Sequence, residues 1–239
     1  MALRPWSSIP IHECGEPLLD LPPEFLRIEP HPYVSVGAPY GAAASPFRLR
    51  AGVIAHLQLA QCQLQATSPQ LRLAIFDAWR PLAVQRYMVA LSIANECATR
   101  GVDETVNSPE RDAVVAEVGR FWAPPSDDPC TPPPHSTGAA VDLTLAGSDG
   151  VLLEMGSAID AIGAVSEPNH FGERAEGCRD PVERQLYQTW HQRRTLLQQA
   201  MAAAGFAQHP NEWWHFSSGD QLWAWRSGQP RAIYGRSGC

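Results

Sequence analysis

Apolar residues recur at helical spacing in four stretches of the chain. Val53, Leu57, Ala60 and Leu64 fall on one face between Arg48 and Ala66, and Thr67-Ser68-Pro69 stops that run. Val84, Met88 and Leu91 repeat the pattern from Leu82 to Arg100, ahead of Gly101, a helix-stopping residue. Ser108-Pro109-Glu110 opens a third helix that runs to about Arg120, with Val114, Val115 and Val118 turned inward. Asp180-Pro181-Val182-Glu183 joins a capping aspartate to a first-turn proline and an acid three residues on. It starts a long helix that ends at Gly205, with Leu186, Trp190, Leu197 and Met201 as its buried stripe.

Extended segments lie between these helices. Leu71 to Phe76 is a short β-type run ending at Asp77-Ala78-Trp79-Arg80, where Pro81 suits the first residue of the following helix. Ala139 to Leu145 and Val151 to Met155 flank Ser148-Asp149-Gly150, whose Asp-Gly pair predicts a hairpin. Tyr33 to Val36 reads as one more strand inside a Pro- and Gly-rich irregular arm spanning residues 1–47. Ala123 to Pro134 forms neither regular structure and reads as a stiff polyproline-like strap, while Gly156 to Gly177 reads as a polar loop. The expectation is one α+β domain over residues 1–239, in which a small antiparallel sheet has helices packed on one face.

Two of the extended segments carry metal-competent side chains. His135 precedes Asp142 by seven residues, and a flat strand would turn two such residues to opposite faces. His135 is therefore expected on a turn and Asp142 on the strand, with Gly138 free to take positive φ between them. Near the C-terminus, Asn211-Glu212-Trp213-Trp214-His215-Phe216 adds an imidazole with a carboxylate three residues before it. Zn²⁺ accepts two His nitrogens and a carboxylate oxygen and keeps a fourth position for water, so His135, Asp142 and His215 make a candidate zinc site. Glu212, on a turn outside the coordination shell and walled by tryptophan, suits a general base. Taken alone, these residues also fit a blander reading, in which scattered histidines meet an acid by chance and Trp213 to Phe216 is a buried aromatic strand.

His-x-x-Gly-x-Ala-Val-Asp-Leu-Thr at His135 to Thr144, Glu-Trp-Trp-His at Glu212 to His215, and Asp-Ala-Trp-Arg-Pro at Asp77 to Pro81 stand in an order that resembles the D-alanyl-D-alanine dipeptidases of the vancomycin-resistance type. These are a branch of the zinc D,D-peptidases, and the likeness runs from roughly Pro32 to Phe216. It implies hydrolysis of D-alanyl-D-alanine to two D-alanines with one zinc ion per chain. Arg80 would stabilise the developing oxyanion, while Tyr33 and Asp160 would lie near the substrate ammonium. The commonest family form has a serine two residues before the first histidine, where this chain has Pro133; Ser136 or Thr137 would have to supply that hydroxyl. Alternative readings are a D,D- or L,D-peptidase trimming peptidoglycan stems, and a zinc-stabilised protein that binds cell-wall fragments without cleaving them.

Composition narrows the partners. The 18 Lys and Arg are outnumbered by 25 Asp and Glu, a net charge of -7, with no basic run, which argues against nucleic acid and suits a small zwitterion. No segment approaches the ~20 apolar residues of a membrane helix. Arg4 is followed by Pro5, Trp6 and Ser7 instead of an apolar signal core, so the expectation is a soluble cytoplasmic protein. The six cysteines lack Cys-x-x-Cys spacing and are expected as free thiols. Nothing in the sequence sets an oligomeric state.

Overall fold

The computed structural model describes residues 4–41 and 45–237. Arg48 begins a strand where the sequence suggested helix. After β1 (Leu18–Asp20), β2 (Leu26–Arg27) and a short helix α1 (Pro32–Ser35), strand β3 (Arg48–Arg50) pairs antiparallel with β1 and hands over to α2 (Ala51–Thr67). The other elements are β4 (Leu71–Asp77), α3 (Leu82–Arg100), α4 (Pro109–Phe121), β5 (Ala140–Gly147), α5 (His170–Gly177), α6 (Pro181–Ala203), β6 (Ala207–Gln208), β7 (His215–Ser217) and α7 (Gln221–Ser227). The architecture is α+β, as expected.

A five-stranded sheet in the order β2-β4-β5-β7-β6 is the frame for everything that follows. Its central strand β5 has antiparallel neighbours on both sides, and only the edge strand β2 runs parallel to its partner β4. Val141, Leu143 and Leu145 of β5 point to one face, where Val53, Leu57 and Leu64 of α2 and Leu197 and Met201 of α6 complete a core. Asp142 and Thr144 therefore face the other way. A second apolar cluster gathers Val84 and Met88 of α3, Val114 and Val118 of α4, and Tyr33, Tyr40 and Trp122.

The β4–β5 pairing contains the irregularity that matters most. Ala74 opposes Thr144 and Ile75 opposes Leu143, but Asp77, not Phe76, opposes Asp142. One extra residue on β4 rotates the side chains beyond it, as a bulge does. Without it, Phe76 would occupy the place beside Asp142, and Asp77 would point into the core.

Several expectations are corrected. Tyr33 to Val36 is not a strand: Pro32 sits at the first helical position and the His31 side chain caps Val34, so the segment closes a helical turn, α1. Val151 to Met155 makes no second strand. The Asp149-Gly150 turn forms and the Ala146–Leu152 bridge follows, with the Gly147 N–H donating to the Val151 carbonyl at 2.9 Å and the Leu153 N–H to the Leu145 carbonyl at 2.8 Å, but the pairing goes no further. The expected loop 156–177 holds a 3₁₀ turn (Ala164–Ser166) and α5, whose Phe171 and Ala175 are buried one turn apart. Packing on α6 stabilises that short helix rather than its own propensity. On α6 itself Leu186 is exposed and Trp190 half-buried; the buried face is Arg194, Leu197, Ala200 and Met201. The sites of Arg194 hydrogen bonding are the Met155 carbonyl at 2.8 Å, the Glu167 carbonyl and the Ser157 hydroxyl, which explains how a cation can be buried there.

No disulfide occurs among the described residues; Cys14, Cys62, Cys97, Cys130 and Cys178 are free, and Cys239 lies outside them. No helix among them is long and apolar enough to cross a membrane.

Candidate active site

His135 sits in a 3₁₀ turn (Pro134–Thr137) that ends at Gly138, whose φ is 71°. A side chain at Gly138 would be strained by that backbone and would also press on the Leu18 side chain, so the position favours glycine. The turn delivers His135 beside β5, where Asp142 is paired directly with His215 of β7. His135 Nε2 lies 3.1 Å from His215 Nδ1 and 3.2 Å from Asp142 Oδ2, and His215 Nδ1 lies 3.0 Å from Asp142 Oδ1. All three residues are buried. Tetrahedral ligands at bond lengths of about 2.0–2.1 Å stand about 3.3 Å apart, so this triangle has the size and donor set that a zinc ion takes.

The far ring nitrogens fix which lone pairs face the triangle. His135 Nδ1 is 2.6 Å from the Ala78 carbonyl, so Nδ1 carries the proton and Nε2 is left bare. His215 is turned the other way. Its Nε2 is 3.3 Å from Ser217 Oγ, and Ser217 donates its own proton to Asp220 at 2.8 Å, leaving Oγ as acceptor and His215 Nδ1 bare toward Asp142. The two hydrogen bonds orient both imidazoles without any help from solvent.

Asp77 lies on the same side by virtue of the bulge and is wholly buried. Tyr40 and His31 approach its Oδ1 at 2.8 and 3.2 Å, and Arg80 donates to its Oδ2 from Nε and Nη2 at 3.1 and 2.8 Å. Burial would raise the pKa of Asp77, but the guanidinium beside it wins and holds it low. Arg80 also reaches Asp142 at 3.3 Å and Gln85 at 3.0 Å, and lies against the rings of Tyr33 and Trp122, its guanidinium carbon 4.9 and 5.0 Å from their centres. For Asp142, burial again pushes upward, and His135 and His215 overcome it to keep the carboxylate ionised.

Glu212 and Asp160 behave in the opposite sense. Glu212 sits in the turn before β7, its Oε2 3.7 Å from His215 Nδ1, and burial together with the charge of Asp142 lifts its pKa well above the usual range. Its other oxygen is 3.2 Å from His209 Nδ1, an imidazole that burial and His215 keep neutral. Asp160 accepts a hydrogen bond from the Tyr33 hydroxyl at 2.8 Å, and burial followed by Asp142 pushes its pKa up to about 7. Among the described residues Asp160 is the non-glycine residue with positive φ, 65°. Such backbone strain persists where surroundings hold it, commonly at sites of function.

These side chains border one cavity. Of the residues singled out from sequence, His135, Asp142, His215, Glu212, Arg80 and Asp160 line it, with Tyr33 behind Asp160. Ser136 does not join them. Its hydroxyl donates to the Pro133 carbonyl at 2.7 Å, and Thr137 donates to Pro134 at 2.6 Å, because the 3₁₀ turn brings each hydroxyl onto a carbonyl three residues back. Neither is available to replace the hydroxyl lost at Pro133. His170 opens α5 and does not line the cavity.

Sequence reasoning missed His209, Arg4 and Trp6, which also line the cavity. His209 stands three residues before Glu212, a spacing that a search for imidazole beside the base would have found. Arg4 and Trp6 gave no signal, since nothing local tells an arm where it will dock.

A protein-family model described as D-ala-D-ala dipeptidase matches residues 27–231. A protein of Synechocystis sp. named D-alanyl-D-alanine dipeptidase is 43% identical over 242 residues, covering 98% of this chain and 97% of its own length.

Proposed function

The chain belongs to the D-ala-D-ala dipeptidase family, and from that premise we propose that it is a metallopeptidase hydrolysing D-alanyl-D-alanine to two molecules of D-alanine at the cavity around His135. The observation that carries the assignment to this site is the buried triangle of His135, Asp142 and His215 with Glu212 just outside it. A structural zinc site is closed by four protein ligands and needs no adjacent base; this one offers three and has a carboxylate beside the gap.

His135 Nε2, His215 Nδ1 and an Asp142 oxygen would hold one Zn²⁺, which supplies Lewis acidity and lowers the pKa of water at the open position toward ~7. Glu212 accepts the proton of the attacking water. Its raised proton affinity suits that step, and it can later pass the proton to the departing amine. His209, 3.2 Å from the carboxyl, stays neutral beside it. As charge grows on the carbonyl oxygen, Arg80, oriented by Asp77 and Gln85, contributes about 3 kcal/mol if it acts like an ordinary oxyanion donor. Asp160, ionised and braced by Tyr33, anchors the substrate ammonium.

The lining of the cavity by Arg4 and Trp6 of the N-terminal arm favours a free dipeptide over a long stem peptide. Release of D-alanine from D-alanyl-D-alanine, compared with a pentapeptide stem under the same conditions, tests the reading. Preferential turnover of the pentapeptide would make the protein a stem-trimming peptidase, and binding of either without release of D-alanine would make it a binding protein.

A further inference from the structure

The ammonium end of a dipeptide has a partner in Asp160, but its carboxylate end has lost the expected one: Pro133 carries no hydroxyl, and Ser136 and Thr137 are committed to backbone carbonyls. Two cations border the cavity. Arg80 is engaged by Asp77, Gln85, Tyr33 and Asp142 and lies against two aromatic rings. Arg4 is different. Its Nη1 and Nη2 donate to the carbonyls of Arg120 and Trp122 at 3.2 and 2.8 Å, while its Nε, buried from solvent, has no acceptor among the described residues. A buried N–H of a guanidinium without a partner is costly, and a ligand anion would relieve it.

The arm that presents Arg4 is firmly attached. Gln221 of α7 donates to the carbonyls of Ile9 and Cys130 at 2.6 and 3.0 Å, the His12 N–H donates to the Ala232 carbonyl at 2.9 Å, and the Ala232 N–H donates to the Pro10 carbonyl at 2.9 Å. Trp6 packs edge-on against His209 and tilts against Trp225 of α7. Arg4 is thus held in the wall, where burial lowers its pKa and the nearby Glu212 works against that by favouring the cation. It lies outside residues 27–231, the span of the family model.

We propose that Arg4 receives the C-terminal carboxylate of the dipeptide, making the N-terminal arm a determinant of specificity for substrates with a free carboxylate. The inference rests on the peptidase reading above. The negative groups of the cavity, Asp142, Asp160 and Glu212, would repel that carboxylate unless a cation faced it, and Arg4 is the one with a donor to spare.

The test is steady-state turnover of D-alanyl-D-alanine and of its C-terminal amide by the parent protein, Arg4→Gln and Arg4→Lys, each with thermal unfolding and metal content measured alongside. The parent protein should favour the free acid by at least about tenfold in kcat/KM, as loss of one charge-assisted hydrogen bond implies. Arg4→Gln should raise KM for the acid about 10- to 100-fold with kcat little changed, leave the amide unaffected, and be partly restored in Arg4→Lys. Equal use of acid and amide by the parent protein overturns the proposal whether or not the variants fold, as does a parallel loss on both substrates in a folded Arg4→Gln. Turnover of neither substrate by the parent protein overturns the peptidase reading, and the role of Arg4 with it.

Discussion

Asp77 and Asp142 face each other as direct partners across the β4–β5 bulge, and Arg80 Nη2 bridges them at 2.8 and 3.3 Å. Two buried carboxylates on adjacent strands would repel strongly if that guanidinium were absent. Removing one partner of such a network strands the others, so Asp77→Ala should destabilise the fold by about 3–5 kcal/mol, the usual penalty for an uncompensated buried charge. Denaturant unfolding measures it, and a loss below about 1 kcal/mol, as for a surface pair, would mean that the network contributes little.

Arg80→Lys should lower kcat while KM changes little. Lysine cannot donate to Asp77, Gln85 and the reacting oxygen from one planar group, so orientation is lost where it matters, in the transition state. A raised KM with kcat preserved would place Arg80 on the substrate carboxylate instead and compete directly with the role given to Arg4.

Replacing Glu212 by Gln keeps the volume and removes the base. Bound metal should stay at parent level and turnover should fall by at least ~10²-fold. Metal analysis beside the rate decides the matter; near-normal turnover would take Glu212 out of the mechanism.

His135→Ala, Asp142→Ala and His215→Ala should instead lose metal and activity together, because each removes a donor from the triangle. A chelator should act like them on the parent protein and also lower its thermal stability, since an ion that binds only the folded state stabilises it by mass action. An unchanged unfolding temperature after chelation would argue against a resident metal.

The pH dependence follows from Asp160. Burial and Asp142 lift its pKa to about 7, and only the ionised form attracts an ammonium. Affinity should therefore improve as pH rises through about 7 and weaken below it, seen as a rising limb in kcat/KM. Asp160→Asn should raise KM and flatten that limb. Tyr33→Phe, which removes a hydrogen bond favouring the ionised carboxylate, should move the limb to higher pH.

Much of the frame was legible because local chemistry decided it. Ser108 and Asp180 cap α4 and α6 through their own side chains, Gly101 ends α3 in the left-handed conformation, and β4 runs close to its expected bounds. The metal triangle was legible for the same reason: His135 before Gly138 and Asp142 on an apolar strand constrain each other over a few residues. Helix α5 was not, since its packing on α6 stabilises it where local preference is weak, whereas the turn at Pro32–Ser35 follows from its own proline and His31 cap, local signals that the strand reading passed over.

The sequence by itself determined the kinds of groups at the site and the order in which strands and turns present them, because capping, glycine geometry and side-chain alternation act within a few residues. Tertiary structure alone decided where Asp77 points, since a bulge depends on how two strands settle into register. It also decided that Arg4 would line a cavity together with residues from Arg80 to His215. Those outcomes depend on hydrogen bonds and packing between distant segments, to which no local pattern in the chain corresponds.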